Sequence, residues 1–410
     1  MTATALEDSL AGICGDDALR AATDADRVGS HLPRLVVEPG TEAEVAAVLR
    51  ACTEAGARLV ARGSGSALDW GPPVTACHAV LSTRRLDRLL EHEPGDLVCV
   101  AQAGMSLGAL RDRLAAAPGH RQALMLDPPG GDRCSLGGVV ARNAAGSLRT
   151  GYGTPRDLLL GVRFVLADGT VGHAGGKVVK NVAGYDLGRL LTGSLGTLAV
   201  ITAAAFRLHP VPAASATVVL EGASATRLGD ACERLRSLDA VATVLDMHWP
   251  DSLLVVRVEG TAAGVAAQAA EVARAVGGRH LDAAEADDLR ARLAPRPWDG
   301  DGAVAGIGIP RSRVAALLER LSDLAVAAVV RPGAAAAEAR CLLDAGVVSA
   351  LRDAVERLGG HLVLRRGGAD LRAAVSPPRL DLVAGDLAAA VKRHLDPAGT
   401  LSPGRLGIPG

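Results

Sequence analysis

Aromatic side chains are scarce in this chain: three Trp, two Tyr and two Phe amount to 2% of 410 residues. So few rings argue against the base-stacking surfaces with which proteins bind single-stranded nucleic acid. Hydrophobic residues nevertheless make up 49% of the chain, which is not the composition of a disordered protein. The core must therefore be built mainly from Ala, Val and Leu, and at about 150 residues per domain the length indicates two or three domains.

An excess of either charge is also missing, since 44 Lys and Arg stand against 45 Asp and Glu for a net charge of −1. This balance is not that of a general nucleic-acid binder or a basic membrane-surface protein. The chain contains no uncharged run of about 20 apolar residues, so no transmembrane helix is predicted. Residues 1–12 lack the features of a signal peptide. The seven cysteines include no CxxC pair, which predicts a cytoplasmic protein without disulfides. The histidines do not have metal-ligand spacing, so no metal site is predicted.

Glycine, by contrast, is abundant, and its distribution divides the chain. Of the 49 glycines, 23 lie between Gly63 and Gly196. A boundary follows this region at HPVPAA (209–214), where two prolines break both helix and strand. We therefore expect four segments: an acidic helical lead-in (1–30), a glycine-rich domain (31–214), a domain of different texture (215–380) and a C-terminal helix with an extended tail (381–410).

Apolar periodicity predicts most of the helices and strands. A capping-box pattern, Thr41 with Glu44, precedes an amphipathic helix predicted over 41–56. Strands are predicted over 34–37, 58–60, 159–166 and 198–208, with a hairpin turn at 167–169. Over 215–380, strand and helix patterns follow one another in an order that resembles two ferredoxin-like halves. The predicted fold class is therefore α+β.

Two glycine-rich loops are candidate ligand sites. The first, Arg62–Ser66, follows a predicted strand, and its glycines would let backbone N–H groups converge on phosphate oxygens. It has neither the GK[ST] ending of a Walker loop nor the spacing of GxGxxG, so an ordinary turn is the alternative. The second, Gly130–Gly153, fits close backbone approach to a large planar or phosphorylated ligand, and an ordinary flexible loop is its alternative.

Two further stretches complete the pattern: GGKVVKNVAGYDLGRLLTGSLGTLAVIT (175–202) and the tail residues 396–405. Together with the two loops, their order and spacing resemble the flavoproteins that have a vanillyl-alcohol-oxidase-type (PCMH-type) FAD-binding domain. Within that family, the chain is similar to the FAD-binding subunits of bacterial glycolate oxidase. The resemblance covers residues 30–214 and the tail. It implies a two-subdomain PCMH-type FAD-binding domain followed by a ferredoxin-like α+β cap domain.

The resemblance also implies which residues contact FAD. The first loop would hold the pyrophosphate, the second would hold the pyrophosphate, ribityl chain and flavin ring, and the strand after residue 196 would lie beside the adenine. The residues so implied are Arg62, Gly63, Ser64, Gly65, Ser66, Gly131, Ser135, Gly137, Gly138, Asn143, Gly146, Tyr152, Gly196, Val200 and Ile201. Ser66 stands where some relatives carry a flavin-linking His, and Cys134 is expected to be a packed thiol, so FAD is predicted to bind non-covalently.

The same resemblance implies oxidation of a 2-hydroxyacid such as glycolate to a 2-oxoacid, with electrons leaving through a paralogous FAD subunit and an iron–sulfur subunit. However, Val179 and Ala183 stand where catalytic relatives carry a substrate-binding Arg and a Thr, and no H-x-G-D-x-N element is present. A second hypothesis is therefore a non-catalytic electron-transfer or scaffold subunit beside a catalytic paralogue. A third is a sugar-nucleotide or phosphate-binding protein without flavin.

Charged residues near these motifs are candidate catalytic groups. Lys180 and Lys177 would stabilise an anionic reduced flavin or a substrate carboxylate, with a solvated lysine beside a turn as the alternative. His361 and Arg365, in GGHLVLRRGG, would bind an anion, and a strand-end His beside surface arginines is the alternative. Tyr185 is expected to be a core residue rather than a catalytic acid. The predicted location is cytoplasmic, or peripheral at the inner membrane through a complex.

Overall fold

The computed structural model describes residues 3–119, 121–177, 185–293, 302–341, 344–375 and 382–407. By its internal contacts the chain divides into two compact units. The first unit contains 1–145, 154–211 and 379–410, and the second contains 146–153 and 212–378. A short segment from inside the glycine-rich region, 146–153, thus belongs to the second unit.

The first unit begins with a four-stranded sheet. Its elements are α1 (Ala3–Cys14), β1 (Leu19–Ala21), β2 (Leu35–Val37), α2 (Glu42–Glu54), β3 (Leu59–Arg62) and β4 (Ala79–Ser82). The strand order is β1–β2–β4–β3, with β1 antiparallel to β2 and the other pairs parallel. Helix α2 starts at the predicted cap, because Thr41 Oγ1 accepts a hydrogen bond from the Glu44 amide at 3.1 Å. The predicted helical lead-in ends at Cys14, and β1 instead pairs with β2 at the sheet edge.

Five antiparallel strands form a second sheet in the first unit. The elements are β5 (Leu89–Glu93), β6 (Val98–Gln102), α3 (Leu107–Ala115), β7 (Gln122–Ala123), α4 (Leu136–Arg142), α5 (Arg149–Tyr152, in the second unit), α6 (Pro155–Leu158), β8 (Leu159–Val165), β9 (Val171–Gly175), α7 (Leu187–Leu191), β10 (Val200–Arg207) and β11 (His209–Pro210). The sheet order is β5–β6–β10–β8–β9, and β7 pairs with β11. The turn predicted at 167–169 joins β8 to β9 as an antiparallel pair.

The second unit contains one eight-stranded antiparallel sheet. Its elements are β12 (Ala214–Leu220), α8 (Ala225–Arg236), β13 (Ala242–Trp249), β14 (Leu253–Gly260), α9 (Ala262–Val276), β15 (Arg279–Leu281), α10 (Ala283–Leu293), β16 (Ala303–Gly308), α11 (Val314–Asp323), β17 (Ala327–Arg331), β18 (Ala336–Cys341), α12 (Ala345–Arg357), β19 (His361–Arg366) and α13 (Ala369–Ala374). The strand order is β15–β12–β14–β13–β17–β18–β16–β19. Each group of four strands has the βαββαβ order of a ferredoxin-like fold, and β13 joins the groups by pairing with β17. The predicted α+β class with two ferredoxin-like halves is confirmed.

The two faces of this sheet differ in polarity, because side chains alternate along each strand. Met247, Val330 and Ala337 belong to the core that packs against the helices. Their neighbours Arg331 and Glu338 are buried as well, but they lie on the opposite face. Within the described ranges, no helix is both long and apolar enough to cross a bilayer.

The last helix of the first unit, α14 (Leu382–Leu395), ends in a buried ion pair that holds the C-terminal tail. Lys392 donates hydrogen bonds to Asp396, to the Thr197 carbonyl at 2.8 Å and to the Leu401 carbonyl at 2.9 Å. Asp396 accepts in turn from the amides of Thr400 at 2.9 Å and Leu401 at 2.8 Å. Burial lowers the pKa of Lys392, against the opposing effect of Asp396.

The tail beyond this pair lies against the edge of strand β3. The Leu59 amide donates to the Thr400 carbonyl at 2.8 Å, and the Ser402 amide donates to the Leu59 carbonyl at 2.8 Å. Leu401, between them, is fully buried. Residues from the end of the chain therefore pack onto an element formed more than 300 residues earlier.

Replacing Lys392 by Met should lower the free energy of unfolding by about 3–5 kcal/mol, because it leaves the Asp396 carboxylate buried without its cation. The matched control is Arg393→Met, which removes the neighbouring cation from an exposed position on the same helix. Urea denaturation monitored by circular dichroism would measure both variants. Equal stabilities of the two variants would show that the buried pair does not hold the tail.

Candidate functional site

Two loops of the first unit meet where strand β3 ends, and their contact forms one wall of a cleft. A Cβ atom added to Gly63 would lie 1.8 Å from the Ser135 Oγ atom. The same hydroxyl accepts a hydrogen bond from the Ser64 amide at 3.3 Å. Only glycine at position 63 therefore allows the first loop to touch the second.

Several backbone amides in this cleft have no acceptor among the residues that the structure describes. They are the amides of Gly65 and Ser66 in the first loop and of Gly138 in the second. The neighbouring Gly137 amide, by contrast, donates to the Ala103 carbonyl at 2.8 Å. Unpaired amides that share a cleft are ready donors to phosphate oxygens. The cleft is thus suited to a phosphorylated ligand.

The turn before strand β10 supplies another wall. Gly196 adopts a left-handed conformation with φ +70°, and Val200 and Ile201 follow it into the cleft lining. The cleft encloses about 790 Å³, part of it open to solvent. Many of the remaining lining residues are apolar: Val60, Ala61, Ala67, Leu68, Trp70, Ala103, Ala141, Leu195 and Ala199. Such walls suit the planar rings of a large cofactor.

Charge in the cleft has one sign. The charged residues among those that line it are Arg62, Arg142 and Arg405, and no described lining residue is acidic. A low-dielectric cleft with only positive side chains attracts an anionic ligand. The chain as a whole has a net charge of −1, so this positive charge is local.

Asp26, which the sequence analysis missed, holds the first of these arginines. Its carboxylate lies 2.6 Å from Arg62 and accepts two hydrogen bonds from Arg20, both at 2.7 Å. The hydrogen bonds from Arg20, from the Thr23 amide and from Arg62 hold the pKa of Asp26 well below its usual range, although burial opposes them. The pair Thr23 and Asp26 is a capping box, so the sequence carried a local signal. Nothing in it indicated the contact with the loop.

Most of the residues that the resemblance assigned to FAD line the cleft. They are Arg62, Gly63, Ser64, Gly65, Ser66, Ser135, Gly137, Gly138, Gly196, Val200 and Ile201. Gly131 and Asn143 belong to the first unit but not to this lining, and the Asn143 side chain accepts the Arg156 amide at 3.2 Å. Gly146 and Tyr152 belong to the second unit. Lining the cleft does not show contact with FAD, so FAD contacts at all fifteen positions stay predictions.

Tyr152 has a defined partner within the second unit. Its hydroxyl donates to Glu259 at 2.6 Å, and Glu259 also forms an ion pair with Arg257 at 2.8 Å. Burial, reinforced by Glu259, raises the pKa of the Tyr152 hydroxyl. Tyr152 therefore stays protonated and fixes the 146–153 segment onto strand β14.

The structure gives little support for a functional role of the lysine and tyrosine candidates in the 175–202 stretch. Lys180 lies outside the described residues, as do Val179 and Ala183. Lys177 forms an exposed ion pair with Glu91. Tyr185 is 94% exposed, so the prediction of a core residue is wrong: it precedes the N-cap of helix α7, where the chain runs at the surface.

Cys134 is packed rather than exposed to a ligand. It is fully buried, and its thiol donates to the Pro129 carbonyl at 3.1 Å. At two other buried cysteines, burial raises the pKa of Cys52 to about 12 and that of Cys77 to about 11, so these two thiols stay protonated. Non-covalent binding of FAD stays a prediction. In the part of the chain that the structure describes, no three or more His, Cys, Asp or Glu residues are grouped to hold a metal ion.

Comparison with known proteins identifies the cofactor that the first unit binds. Residues 33–175 match the family described as FAD binding domain. Residues 33–175 are an FAD-binding domain. The first loop and the second loop both lie in the matched region, and the positive side chains and the backbone amides of the cleft fit the FAD diphosphate. The hypothesis of a phosphate-binding protein without flavin is therefore excluded.

Relatives extend the similarity beyond the matched domain. The D-lactate dehydrogenase of Archaeoglobus fulgidus is 40% identical over 177 residues, which are 43% of this chain and 39% of that protein. This FAD-binding chain thus spans about two fifths of the length of that relative. The glycolate oxidase subunit GlcE of Escherichia coli is 29% identical over 350 residues, 85% of this chain and 92% of that protein. The solved structure of p-cresol methylhydroxylase has a TM-score of 0.77 at 19% identity and covers 99% of this chain and 97% of its own, which confirms the fold.

Replacing Gly63 by Ala should weaken FAD binding by about 10- to 100-fold, because a methyl group there overlaps the Ser135 side chain and separates the two loops. FAD content after purification and the Kd from fluorescence titration would measure the effect. Gly12→Ala is the matched control, since an added Cβ at that exposed helical position meets nothing within 4 Å. Equal FAD affinity of the two variants would contradict the assignment of this contact to the FAD site.

Replacing Asp26 by Asn should lower the free energy of unfolding by about 2–4 kcal/mol at neutral pH, because two arginines lose a buried carboxylate. The pKa of Asp26 is depressed in the folded chain, so its stabilisation is complete above the ordinary carboxyl pKa. The difference between wild type and variant should therefore persist from pH 8 to pH 5 and shrink only below about pH 4.

Asp24→Asn is the control for this measurement, because Asp24 belongs to the same turn but its side chain is 85% exposed. Its effect should stay below about 1 kcal/mol. Denaturant unfolding at a series of pH values would compare the three proteins. A difference for Asp26→Asn that disappears between pH 7 and pH 5 would show that its carboxylate is not held ionised.

Proposed function

We propose that this chain is the FAD-binding subunit of a glycolate-oxidase-type complex and takes part in the oxidation of a 2-hydroxyacid to a 2-oxoacid. The observation that carries the proposal is the similarity to GlcE, which extends over 85% of this chain. Relatives that share the FAD-binding part are named D-lactate dehydrogenase, GlcD and D-2-hydroxyglutarate dehydrogenase. When bound, FAD supplies the acceptor for the hydride that leaves the substrate α-carbon.

The residues of the first unit would hold and orient the cofactor. We expect the unpaired amides of Gly65, Ser66 and Gly138 to donate hydrogen bonds to the diphosphate oxygens. The arginines of the lining balance the diphosphate charge, and the apolar walls exclude water from the rings. In this proposal these groups bind and position the cofactor.

His361 and Arg365 in the second unit remain our candidates for binding the substrate carboxylate. Both side chains lie over strand β16, where Gly306 and Gly308 leave the backbone bare. A Cβ on Gly306 would lie 2.3 Å from Arg365 Nε, and one on Gly308 would lie 2.1 Å from His361 Cε1. This arrangement supports an anion site, because the guanidinium and the imidazole lie over two nearby glycines on the same face of the sheet.

The charge of Arg365 is partly balanced. Arg365 forms an ion pair with Glu338, whose carboxylate also accepts a hydrogen bond from Arg331 at 2.9 Å. An arginine with such a partner binds a substrate carboxylate less strongly than a free one, because part of its charge is already compensated. This observation favours the second candidate function, an electron-transfer or scaffold subunit beside a catalytic paralogous FAD subunit, with an iron–sulfur subunit as electron acceptor.

Both functions are compatible with a cytoplasmic location, or with a peripheral one at the inner membrane through the complex. In either case the partners are other proteins of the complex. The two candidate functions differ in whether this chain alone reacts with a hydroxyacid.

Addition of glycolate or D-lactate to the purified full chain under anaerobic conditions should bleach the flavin absorbance. Arg365→Met should raise the substrate concentration needed for half-maximal bleaching by about 10-fold or more, as expected for loss of a charge-assisted hydrogen bond. Arg357→Met, which removes an exposed arginine from helix α12, is the control and should behave like wild type.

The result that contradicts catalysis by this chain is a yellow protein that stays oxidised with every hydroxyacid tested. If such a protein is then reduced after addition of the paralogous subunit and substrate, the electron-transfer function is supported instead. A stopped-flow absorbance record at the flavin bands distinguishes the two results.

A further inference from the structure

A second hollow of the first unit adjoins the cleft. Residues 63–65 of the first loop line both spaces. Arg84, Arg113 and Arg133 line the second hollow but not the cleft. The hollow encloses about 1230 Å³, part of it open to solvent. We call this space the basic hollow.

Helix α3 and the turn at 131–133 bring two of these arginines together. Arg113 lies four residues after Ala109 on the helix, so the two share one helix face, and both line the hollow. Arg133 belongs to a turn that is held against the same helix, because Arg111 forms an ion pair with Asp132 at 2.5 Å. The positions of the two arginines are therefore linked.

The third arginine reaches the hollow through the turn after strand β4. Gly104, which precedes helix α3, donates its amide to the Leu86 carbonyl at 2.8 Å. A Cβ added to Gly104 would lie 1.8 Å from the Thr83 carbonyl oxygen, so glycine is what allows the turn to pack against the start of the helix. Arg84 belongs to this turn, and the packing thus brings it into the lining of the hollow.

The charges of Arg84, Arg113 and Arg133 are available to a partner. All three residues are exposed, and in the part of the chain that the structure describes none of their guanidinium groups forms an ion pair or a hydrogen bond. Asp87 is the one acidic residue among the described residues that line the hollow. The three arginines therefore give the hollow an excess of two positive charges, on a chain whose net charge is −1. Such a local excess attracts an acidic partner.

The exposure of these arginines favours a protein surface over a small molecule as that partner. A pocket for a small molecule buries most of its ligand and fixes it with a few precisely placed polar groups. The cations of the basic hollow are instead long, exposed side chains on three separate elements. Charges of this kind guide the association of two proteins and select between partners. Arginine is also enriched in protein interfaces, where its guanidinium group pairs with carboxylates.

We propose that the basic hollow is the docking site for an acidic surface on another subunit of the complex. The proposal rests on the proposed function, because it takes the partner from that complex. A subunit docked there contacts the first loop, which also lines the cleft. The docked subunit therefore lies next to the cleft of this chain.

Association kinetics test the proposal, with the FAD-loaded full chain on one side and the paralogous FAD subunit and iron–sulfur subunit, assembled together, on the other. A triple variant with Arg84→Gln, Arg113→Gln and Arg133→Gln should lower the association rate constant by about 10-fold or more at low salt, because electrostatic attraction speeds the encounter. Raising the ionic strength from about 0.01 to about 0.15 M shortens the Debye length from about 30 to about 8 Å. The wild-type rate constant should fall over this range, and that of the variant should change much less.

A second triple variant with Arg50→Gln, Arg121→Gln and Arg393→Gln is the matched control. It removes the same number of positive charges from exposed positions of the first unit that do not line the hollow. Biolayer interferometry should give it the association rate constant of the wild type. An equal decrease in both triple variants would show that only the net charge matters, and it would overturn the docking site.

A fluorescein-labelled polyglutamate peptide tests the recognition of carboxylates without the other subunits. Fluorescence anisotropy should show binding to wild type and to the control, and a Kd at least about 10-fold higher for the first triple variant, as expected for the loss of charge-assisted hydrogen bonds. Inorganic pyrophosphate that displaces the peptide at micromolar concentration would assign the hollow to a small anion instead and overturn the proposal.

FAD content separates docking from cofactor binding. The first triple variant should be purified with as much FAD as the wild type, and a variant without FAD would assign the three arginines to the cofactor site and overturn the proposal. If the triple variant does not fold, Arg113→Gln takes its place, with an expected decrease of about 2-fold in the association rate constant.

Failure of the proposed function is distinguishable from failure of the docking site. A wild-type chain that does not associate with the other subunits contradicts the complex itself, and with it the partner named here. Association that is equally fast in wild type and in the first triple variant, at every ionic strength, overturns the docking site alone.

Discussion

The close approach of the Gly63 backbone to the Ser135 side chain is the contact on which the cleft depends. Because no Cβ separates them, the Ser64 amide, in the loop that ends a parallel strand, donates a hydrogen bond to the hydroxyl of Ser135, at the start of a short helix. Residues of both loops line one cleft. The surrounding contacts, from the Asp26 carboxylate behind Arg62 to the turn at Gly196, keep these loops in place.

Sequence reasoning succeeded where function is carried by local patterns. The family resemblance of the two loops and of the stretch around Gly196 implied eleven residues that line the cleft, and glycine spacing alone did not assign them. Sequence reasoning did not indicate the contacts of Asp26, or those of Arg405 within the tail motif 396–405. Their contacts are set by tertiary packing: Arg405 binds a carbonyl 335 positions away in the chain, and Asp26 binds a guanidinium 36 positions away. No periodicity in one sequence indicates such pairs.

The fold of the second unit was predictable for a similar reason. Each ferredoxin-like half is built from consecutive strands and helices, so alternating patterns along the chain were sufficient. The polarity of the face opposite the helices was not predictable. In the sequence, a charged residue such as Arg331 or Glu338 interrupts the apolar pattern of a strand, and only the structure shows that the two side chains are buried as an ion pair. Tyr185 shows the opposite error: as an aromatic residue it was predicted to be in the core, but it lies at the surface.

The return of the tail to strand β3 has a consequence for biosynthesis. Trp70 leaves the ribosome 335 residues before Arg405, the residue that holds its backbone. At about 5–20 residues per second, this interval is about 17 to 67 s. During that time the first loop exists as nascent chain while the whole second unit is still being translated. Completion of the cleft is therefore one of the last events in the synthesis of this protein, because Arg405 is one of the residues that line it.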